Sequence, residues 1–315
     1  MDELRAACAE VAVRARWVRI EHEAIAAYAA GLGFSATARV AGSELAAERA
    51  TEGATEGLPS AAREARAAFW LTLDAVNFGS GWFPTLRKRH GRSGYHTIAA
   101  GLRDRFEARG PWTAAHLIEI DAATAADVFG QDPQHELMAL FAASLRDLGR
   151  HLTAEHAGRF TTLVGAAGGS AVTLARQLGG WSSFADCSRY QELEVPFLKR
   201  AQIAAADLQR ARVAAFGDLE RLTMFADNLV PHVLRLDGVL RFDRRLVDRI
   251  DAEELIEHDS LEEIEIRACA LHAVELITAA RPGARAADID EILWNRGGQP
   301  QYKASPRHRS RCTAY

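Results

Sequence analysis

Apolar side chains recur at intervals of three and four residues along most of the chain, which is the spacing of one face of an α-helix. The pattern predicts a first helix over residues 3–30, rich in Ala, Glu and Arg and ended by the glycines that follow. Ser60 is placed to cap a helix through residue 76, and Ser260 with Glu263 forms a capping box. Alternating strand patterns are almost absent, so the predicted fold class is all-α. Further helices are predicted at about 94–108, 134–157, 197–215, 230–241, 259–280 and 285–295.

Two stretches interrupt this helical pattern. Residues 48–59 carry a short ATEG duplication with few apolar positions, which predicts an exposed connection. Residues 161–181 are rich in small side chains that suit either a closely packed helix or a glycine-rich loop, but they lack the spacings of phosphate-binding loops. We therefore predict an N-terminal helical extension over residues 1–60, packed on a main helical domain over residues 61–315.

Composition and charge narrow the classes of function. The 315 residues are 48% hydrophobic and 25% charged, which is the balance of an ordinary globular protein. Because 38 basic residues face 42 acidic ones, the chain lacks a general attraction for duplex DNA. The four cysteines are scattered without a CxxC pair, and no apolar stretch suits a secretory signal or a membrane span. These features predict a cytoplasmic protein, and the absence of HExxH and EF-hand motifs predicts no metal site.

The segment NFGSGWFP, from Asn77 to Pro84, has a composition that core packing does not obviously require. A strongly helical stretch runs there into glycines interleaved with Phe78, Trp82 and Phe83. Such a break can expose aromatic faces that stack on a planar heterocycle. Alternatively, the rings fill the core where the helix ends, as most aromatic side chains do.

Lys199 is one of only three lysines among the 38 basic residues. A lysine retained where arginine is the usual cation is a weak indication of a chemical role or of limited space around the ammonium group. Lys199 shares one helical stripe with Gln202 and Ala206, which would project a cation and an amide from a face of small residues. That arrangement is typical of a pocket. A lysine at a helix end, however, also commonly extends its amine to solvent.

Asp227 lies among apolar residues in the segment LTMFADNLVPHVL, just before a predicted helix. A carboxylate in such a setting is either a helix N-cap or a functional acid held in a low-dielectric site. The two roles are compatible, because an Asp at a helix start can also border a cleft.

The C-terminal segment, Leu293–Tyr315, mixes cationic and aromatic side chains. It could hold a phosphate, bury its arginines against acidic helices such as EEIEIR, or form a solvated tail. The basic and aromatic residues concerned are Lys303, Arg307, Arg309, Arg311, Trp294, Tyr302 and Tyr315.

Taken together, several of these segments resemble one protein family. The blocks LKRAQIAAADL, LTMFADNLVPHVL, EIEIRACA and the closing PRHRSRCTAY, with NF and LW, are similar to the queuosine salvage protein family, the queuosine 5′-phosphate N-glycosylase/hydrolases. The matching blocks extend from about residue 70 to the last residue. KRAQ and MFAD in this order, with a PxHRxR-like ending, are specific as a set.

The resemblance implies a mainly helical fold similar to helical DNA glycosylases, with residues 61–315 as the catalytic domain. It implies hydrolysis of the N-glycosidic bond of queuosine 5′-monophosphate to release queuine, a 7-deazaguanine base, by a monomer without cofactor. Asp227 of MFAD matches the catalytic carboxylate of the family, and Lys199 of KRAQ matches its site lysine. The residues expected to bind substrate are Asn77, Phe78, Trp82, Gln202 and Trp294.

The chemistry of these residue types fits the implied reaction. Breaking a ribose–base bond generates positive charge on the sugar, which a nearby carboxylate such as Asp227 would stabilise. Lys199 would then anchor the phosphate or ribose, or, less readily, act as a nucleophile. The alternative from a different class is a non-enzymatic tRNA or single-stranded nucleic-acid binding module on a glycosylase-like scaffold, supported by the basic C-terminal segment.

Overall fold

Helices account for most of the backbone in a computed structural model that describes residues 1–33 and 59–315. Within these residues β-structure is limited to two short antiparallel strand pairs and one isolated bridge between Leu255 and Arg309, so the all-α prediction is confirmed. The exposed connection predicted for 48–59 lies, apart from Pro59, outside the described residues. The helices are α1 (Asp2–Arg14), α2 (His22–Gly31), α3 (Ser60–Ala75), α4 (Gly94–Arg109), α5 (Ala114–Ile118), α6 (Ala122–Phe129), α7 (Glu136–Glu155), α8 (Phe160–Ala166), α9 (Ala171–Gly179), α10 (Lys199–Arg210), α11 (Leu229–Leu236), α12 (Arg244–Asp251), α13 (Leu261–Ala279), α14 (Ala286–Gly297) and α15 (Pro300–Lys303).

The strands form two separate pairs. Strand β1 (Val18–Ile20) pairs with β4 (Leu240–Phe242), and β2 (Ser188–Tyr190) pairs with β3 (Leu193–Val195). In the first pair Arg19 lies opposite Arg241. No helix in the described part of the chain is both long and apolar enough to cross a membrane.

The described residues divide into two compact units, each assembled from separated stretches of chain. The extension predicted for residues 1–60 stays a prediction. The first unit takes residues 1–33, 187–199 and 220–311, and the second takes 59–186, 200–219 and 312–315.

Helix α13 is the centre of the first unit, where α1, α2, α11 and α14 pack against it. Its apolar residues, including Ile266 and Leu271, are fully buried, as expected for a helix surrounded by other elements. Glu263, Glu265 and Arg267 are buried on the same helix. Since an isolated buried charge is costly, each of these three needs a partner inside the unit.

The continuous helix predicted over residues 3–30 is wrong between α1 and α2. There the Glu265 carboxylate accepts hydrogen bonds from the backbone N–H groups of Arg16, Trp17 and Val18, at 2.9, 2.6 and 3.2 Å. Those donors are therefore unavailable to a helix, and the chain extends into β1 instead. Burial raises the pKa of Glu265, while the backbone donors favour its ionised form.

Other helix ends and caps also differ from those predicted from the sequence. The helix predicted over 230–241 ends earlier, because residues 240–242 form β4. Pro59, not Ser60, stands before the first turn of α3, so the predicted serine cap is wrong. The Ser260 hydroxyl does accept from Glu263 N at 3.3 Å, whereas the Glu263 carboxylate accepts from Asp259 N, one residue before the expected donor.

The second unit is built around α7, which packs against α3, α5, α6 and α8. Residues 161–181 contain both predicted structures, because α8 and α9 are joined by Gly168 and Gly169 with positive φ. At the start of α9, the Asp218 carboxylate accepts from Ser170 Oγ and Ala171 N, both at 2.6 Å. The protein's own carboxylate thus occupies this helix N-terminus, where a phosphate could otherwise bind.

Candidate active site

Asp227 lies in the loop that leads into α11, within the first unit. Its Oδ1 atom accepts hydrogen bonds from Leu229 N at 2.8 Å and Val230 N at 3.1 Å, which confirms the predicted capping role. The carboxylate is half-buried, and no described residue donates a hydrogen bond to Oδ2. One oxygen therefore fixes the group, while the other is available to a ligand.

The residues on either side of Asp227 form hydrogen bonds with groups that are distant in the sequence. Phe225 N donates to Asp290 Oδ1 at 3.0 Å, and Asn228 Nδ2 donates to His308 O at 3.2 Å. The loop is thus attached to α14 on one side and to the C-terminal segment on the other. Such attachment holds a catalytic group near its working position before substrate binds.

Arg267 of α13 makes a third attachment. It is completely buried, and its Nε donates to Ala226 O at 3.0 Å, next to Asp227. Its guanidinium carbon lies 3.9 Å from the centre of the Phe197 ring, and Nη1 lies 3.5 Å from Glu263 Oε1. Arg267 therefore joins the backbone before Asp227 to the aromatic ring that precedes the predicted site lysine.

Lys199 is the first residue of α10 and only 6% of its surface is exposed, which excludes the solvent-extended alternative. Leu198, directly before it, has a φ of 52°, a left-handed conformation that is unusual for a branched side chain. Strained backbone of this kind persists only where surrounding packing imposes it, and it is common at functional sites. The buried Phe197 contact with Arg267 supplies part of that packing.

The C-terminal segment is packed, which excludes the solvated-tail alternative. Its backbone carbonyls at Tyr302, Pro306 and Arg309 accept hydrogen bonds from His232, Arg235 and Ile256 of the first unit. His308 and Ser310 are fully buried. Of the charged groups concerned, Glu263 faces Arg267 of its own helix at 3.5 Å, and Arg309 faces Glu253 at 3.5 Å.

Two buried histidines make the stability of this unit sensitive to acid. Burial lowers the pKa of His232 to about 4 and that of His308 to about 3. An unfolded chain takes up protons at these residues near pH ~6.5, whereas the folded chain does not. The free energy of unfolding should therefore fall as pH drops below ~6.5 towards 4, by up to about 1 kcal/mol per pH unit for each histidine.

Urea unfolding of the full chain at a series of pH values measures this effect. The His232→Gln variant should show a shallower fall with pH than the unchanged protein, since it has one titrating group fewer. His90→Gln, at an exposed position, is the matched control and should keep the original slope. Equal slopes in all three proteins would contradict the assignment.

Among the described residues, His258, Asp259 and Glu263 form one group whose ligand atoms could share a metal ion, all lying within 4.8 Å of one another. The Glu263 carboxylate already faces the Arg267 guanidinium at 3.5 Å. A positive charge so close competes with a metal ion for that carboxylate.

The predicted aromatic residues of the second unit are core residues. Phe78 is 2% exposed and meets Phe141 edge to face, with ring centres 5.0 Å apart. Trp82 is 4% exposed and its indole N–H donates to Glu136 Oε2 at 2.8 Å. The core-packing alternative thus describes both rings, and their contact with a substrate stays a prediction.

Arg200, which sequence reasoning passed over, organises the loop after α3. This fully buried side chain donates to the backbone carbonyls of Ala75 at 2.8 Å and Thr313 at 2.6 Å, and its guanidinium lies 4.8 Å from the centre of the Phe78 ring. Burial lowers its pKa to about 10. Residues 312–315 are therefore attached to the loop that contains Asn77 and Phe78.

The remaining predicted site residues differ in exposure. Gln202 is completely buried, while Asn77 and Trp294 are half-buried. Asp227, Lys199 and Trp294 belong to the first unit, and the other predicted site residues belong to the second.

A sequence profile of the queuosine salvage protein family matches residues 58–315. The chain belongs to this family. The match includes Lys199, Arg267, Asp227 and the whole C-terminal segment, and residues 1–57 lie outside it.

Family members from distant organisms cover most of the chain. The queuosine 5′-phosphate N-glycosylase/hydrolase of Sphaerobacter thermophilus is 38% identical over 266 residues, which is 80% of this chain and 82% of the relative. The proteins of the same name from Dictyostelium discoideum and Mus musculus are 30% and 27% identical, over 81% and 82% of this chain and 80% and 84% of their own lengths. The resemblance stated from the sequence motifs is confirmed.

Proposed function

We propose that this protein hydrolyses the N-glycosidic bond of queuosine 5′-phosphate and releases queuine. The observation that carries the proposal is the Asp227 carboxylate, with one oxygen fixed by two backbone donors and the other available. The relatives that share most of the chain are named for this reaction. The substrate is taken from the names of these relatives, and the Asp227 carboxylate is a group that can stabilise positive charge at the reacting sugar carbon.

In the proposed reaction a water molecule supplies hydroxide to C1′ of the ribose. The bond between C1′ and the base nitrogen breaks, and its electron pair leaves with the base, which takes up a proton. The sugar carbon carries positive charge in between, and the Asp227 carboxylate lowers the free energy of that state and can orient or deprotonate the water. The products are queuine and ribose 5-phosphate.

The leaving base has one special requirement. A 7-deazapurine lacks the ring nitrogen that ordinary purine hydrolases protonate. The departing base must therefore be stabilised by contacts to its remaining polar edges. Lys199 would contact the ribose or the phosphate, and a nucleophilic role would require a lysine with a strongly lowered pKa. Substrate contacts of Asn77, Phe78, Trp82, Gln202 and Trp294 are part of the same proposal, as are action as a monomer and a cytoplasmic location.

Incubation of the purified chain with queuosine 5′-phosphate, followed by chromatography and mass spectrometry, tests the proposal. We expect queuine and ribose 5-phosphate to appear in equal amounts. Guanosine 5′-phosphate serves as the comparison, because its base retains the ring nitrogen that a general purine nucleotide hydrolase would use. Absence of queuine with active, folded protein would contradict the proposal.

A further inference from the structure

Arg307 and Asp227 lie on neighbouring segments of the first unit. The hydrogen bond from Asn228 Nδ2 to His308 O, 3.2 Å long, joins the residues that directly follow them. Both side chains are half-buried, and their charges interact. The C-terminal segment thus brings a guanidinium group to the carboxylate proposed to face the sugar.

The backbone around Arg307 is fixed. Pro306 O accepts from Arg235 Nη2 at 3.2 Å, and Arg309 O accepts from Ile256 N at 2.9 Å. Arg235 is itself placed over the Phe242 ring, with its guanidinium carbon 5.6 Å from the ring centre. Arg307 therefore projects from a segment that is held on both sides, as a binding residue should.

The hydrogen-bond donors of the Arg307 guanidinium are poorly matched by acceptors in the described part of the protein. No described residue accepts a hydrogen bond from it, although its neighbour Arg309 is engaged by Glu253. Desolvation lowers the pKa of Arg307; the charge of Asp227 opposes this shift and that of Arg309 adds to it. A half-buried group with five N–H donors gains most from an anion that accepts several of them at once.

A phosphate monoester is such an anion. Its oxygens match the planar fork of a guanidinium, which a lysine ammonium does not offer. In a nucleoside 5′-phosphate, the phosphate is also only a few bonds from C1′, so a group adjacent to Asp227 can reach it. A cation at this position offsets the repulsion between the Asp227 carboxylate and the phosphate.

We propose that Arg307 binds the 5′-phosphate of the substrate and gives the enzyme its preference for a nucleotide over a nucleoside. The inference rests on the proposed function, and it assigns the phosphate to the C-terminal segment rather than to Lys199. Arg307 is thus a specificity residue, and Asp227 remains the residue at the reacting carbon.

The test compares kcat/KM for queuosine 5′-phosphate and for queuosine. Arg307→Gln should lower kcat/KM for the nucleotide by about 10- to 100-fold, mainly through KM, and leave nucleoside cleavage essentially unchanged. Inorganic phosphate should inhibit nucleotide cleavage by the unchanged protein and lose this effect in the variant. Lys303→Gln removes one positive charge from an exposed position of the same segment and should behave like the unchanged protein.

Three outcomes would overturn the assignment. Equal losses for both substrates would mean that Arg307 acts only through Asp227, and no loss would mean that the phosphate binds elsewhere. Loss of nucleotide preference in Lys199→Ala but not in Arg307→Gln would show that Lys199 binds the phosphate. Cleavage of either substrate by the unchanged protein keeps the glycosidase proposal standing in each case, whereas failure to cleave both contradicts that proposal itself.

Discussion

Replacing Asp227 by Asn is expected to lower kcat for queuine release by about 10³-fold or more, because the carboxylate charge is lost where positive charge develops. The amide oxygen of Asn can still accept the hydrogen bonds from Leu229 N and Val230 N that Oδ1 accepts now. The melting temperature should therefore change little. Single-turnover kinetics with queuosine 5′-phosphate, together with thermal unfolding, separates the loss of chemistry from loss of fold.

Asp121 provides a matched control for this substitution. Its carboxylate also caps a helix, since it accepts from Thr124 N at 2.8 Å at the start of α6. Asp121→Asn makes the same change of charge at a comparable cap in the second unit, and it should leave kcat unaffected. An unchanged kcat in Asp227→Asn, or an equal loss of kcat in both variants, would show that Asp227 has no catalytic role.

The second large effect concerns Arg267, whose removal should destabilise the protein by about 3–5 kcal/mol, because the buried Glu263 carboxylate would lose the guanidinium charge that faces it at 3.5 Å. Arg267→Met keeps most of the apolar volume that contacts Phe197 and loses the donor to Ala226 O. Urea unfolding measures the loss of stability. We expect kcat to fall as well, because the backbone before Asp227 is no longer fixed.

A double variant separates the two effects. Combining Glu263→Gln with Arg267→Met removes both charges, so part of the lost stability should return. Activity should not return with it, because the donor to Ala226 O is still missing. Arg267→Lys, which keeps the charge without the planar fork, should also retain stability better than rate. Full recovery of kcat in the double variant would show that Arg267 acts on stability alone.

Much of the fold follows from local sequence, and the exceptions have a common cause. Helix α13 begins close to its predicted start because the Ser260 hydroxyl accepts a hydrogen bond from Glu263 N in the first turn. Apolar residues at helical spacing then continue the helix. The helix predicted over 3–30 is interrupted by Glu265, a residue that is remote along the chain. No local pattern reveals that a distant carboxylate will bind three backbone donors.

The candidate site shows the same division. Asp227 and Lys199 could be selected because their polar side chains stand out in apolar or small-residue segments. Arg267 and Arg200 were missed because their principal partners are backbone carbonyls, which residue types do not encode. A signal for Arg267 was nevertheless available, since a cation in EIEIRACA stands at a position that helical spacing buries.

The interleaving of the two units has a consequence for how the protein is made. The first unit needs residues as late as 311, and the second needs residues 312–315 as well as 59–186. During translation the first unit cannot be completed until residue 311 has emerged from the ribosome, and the second cannot be completed until residue 315 has emerged. Nascent chains therefore carry two unfinished cores until these residues have emerged, and dependence on chaperones is expected to be greatest before that point.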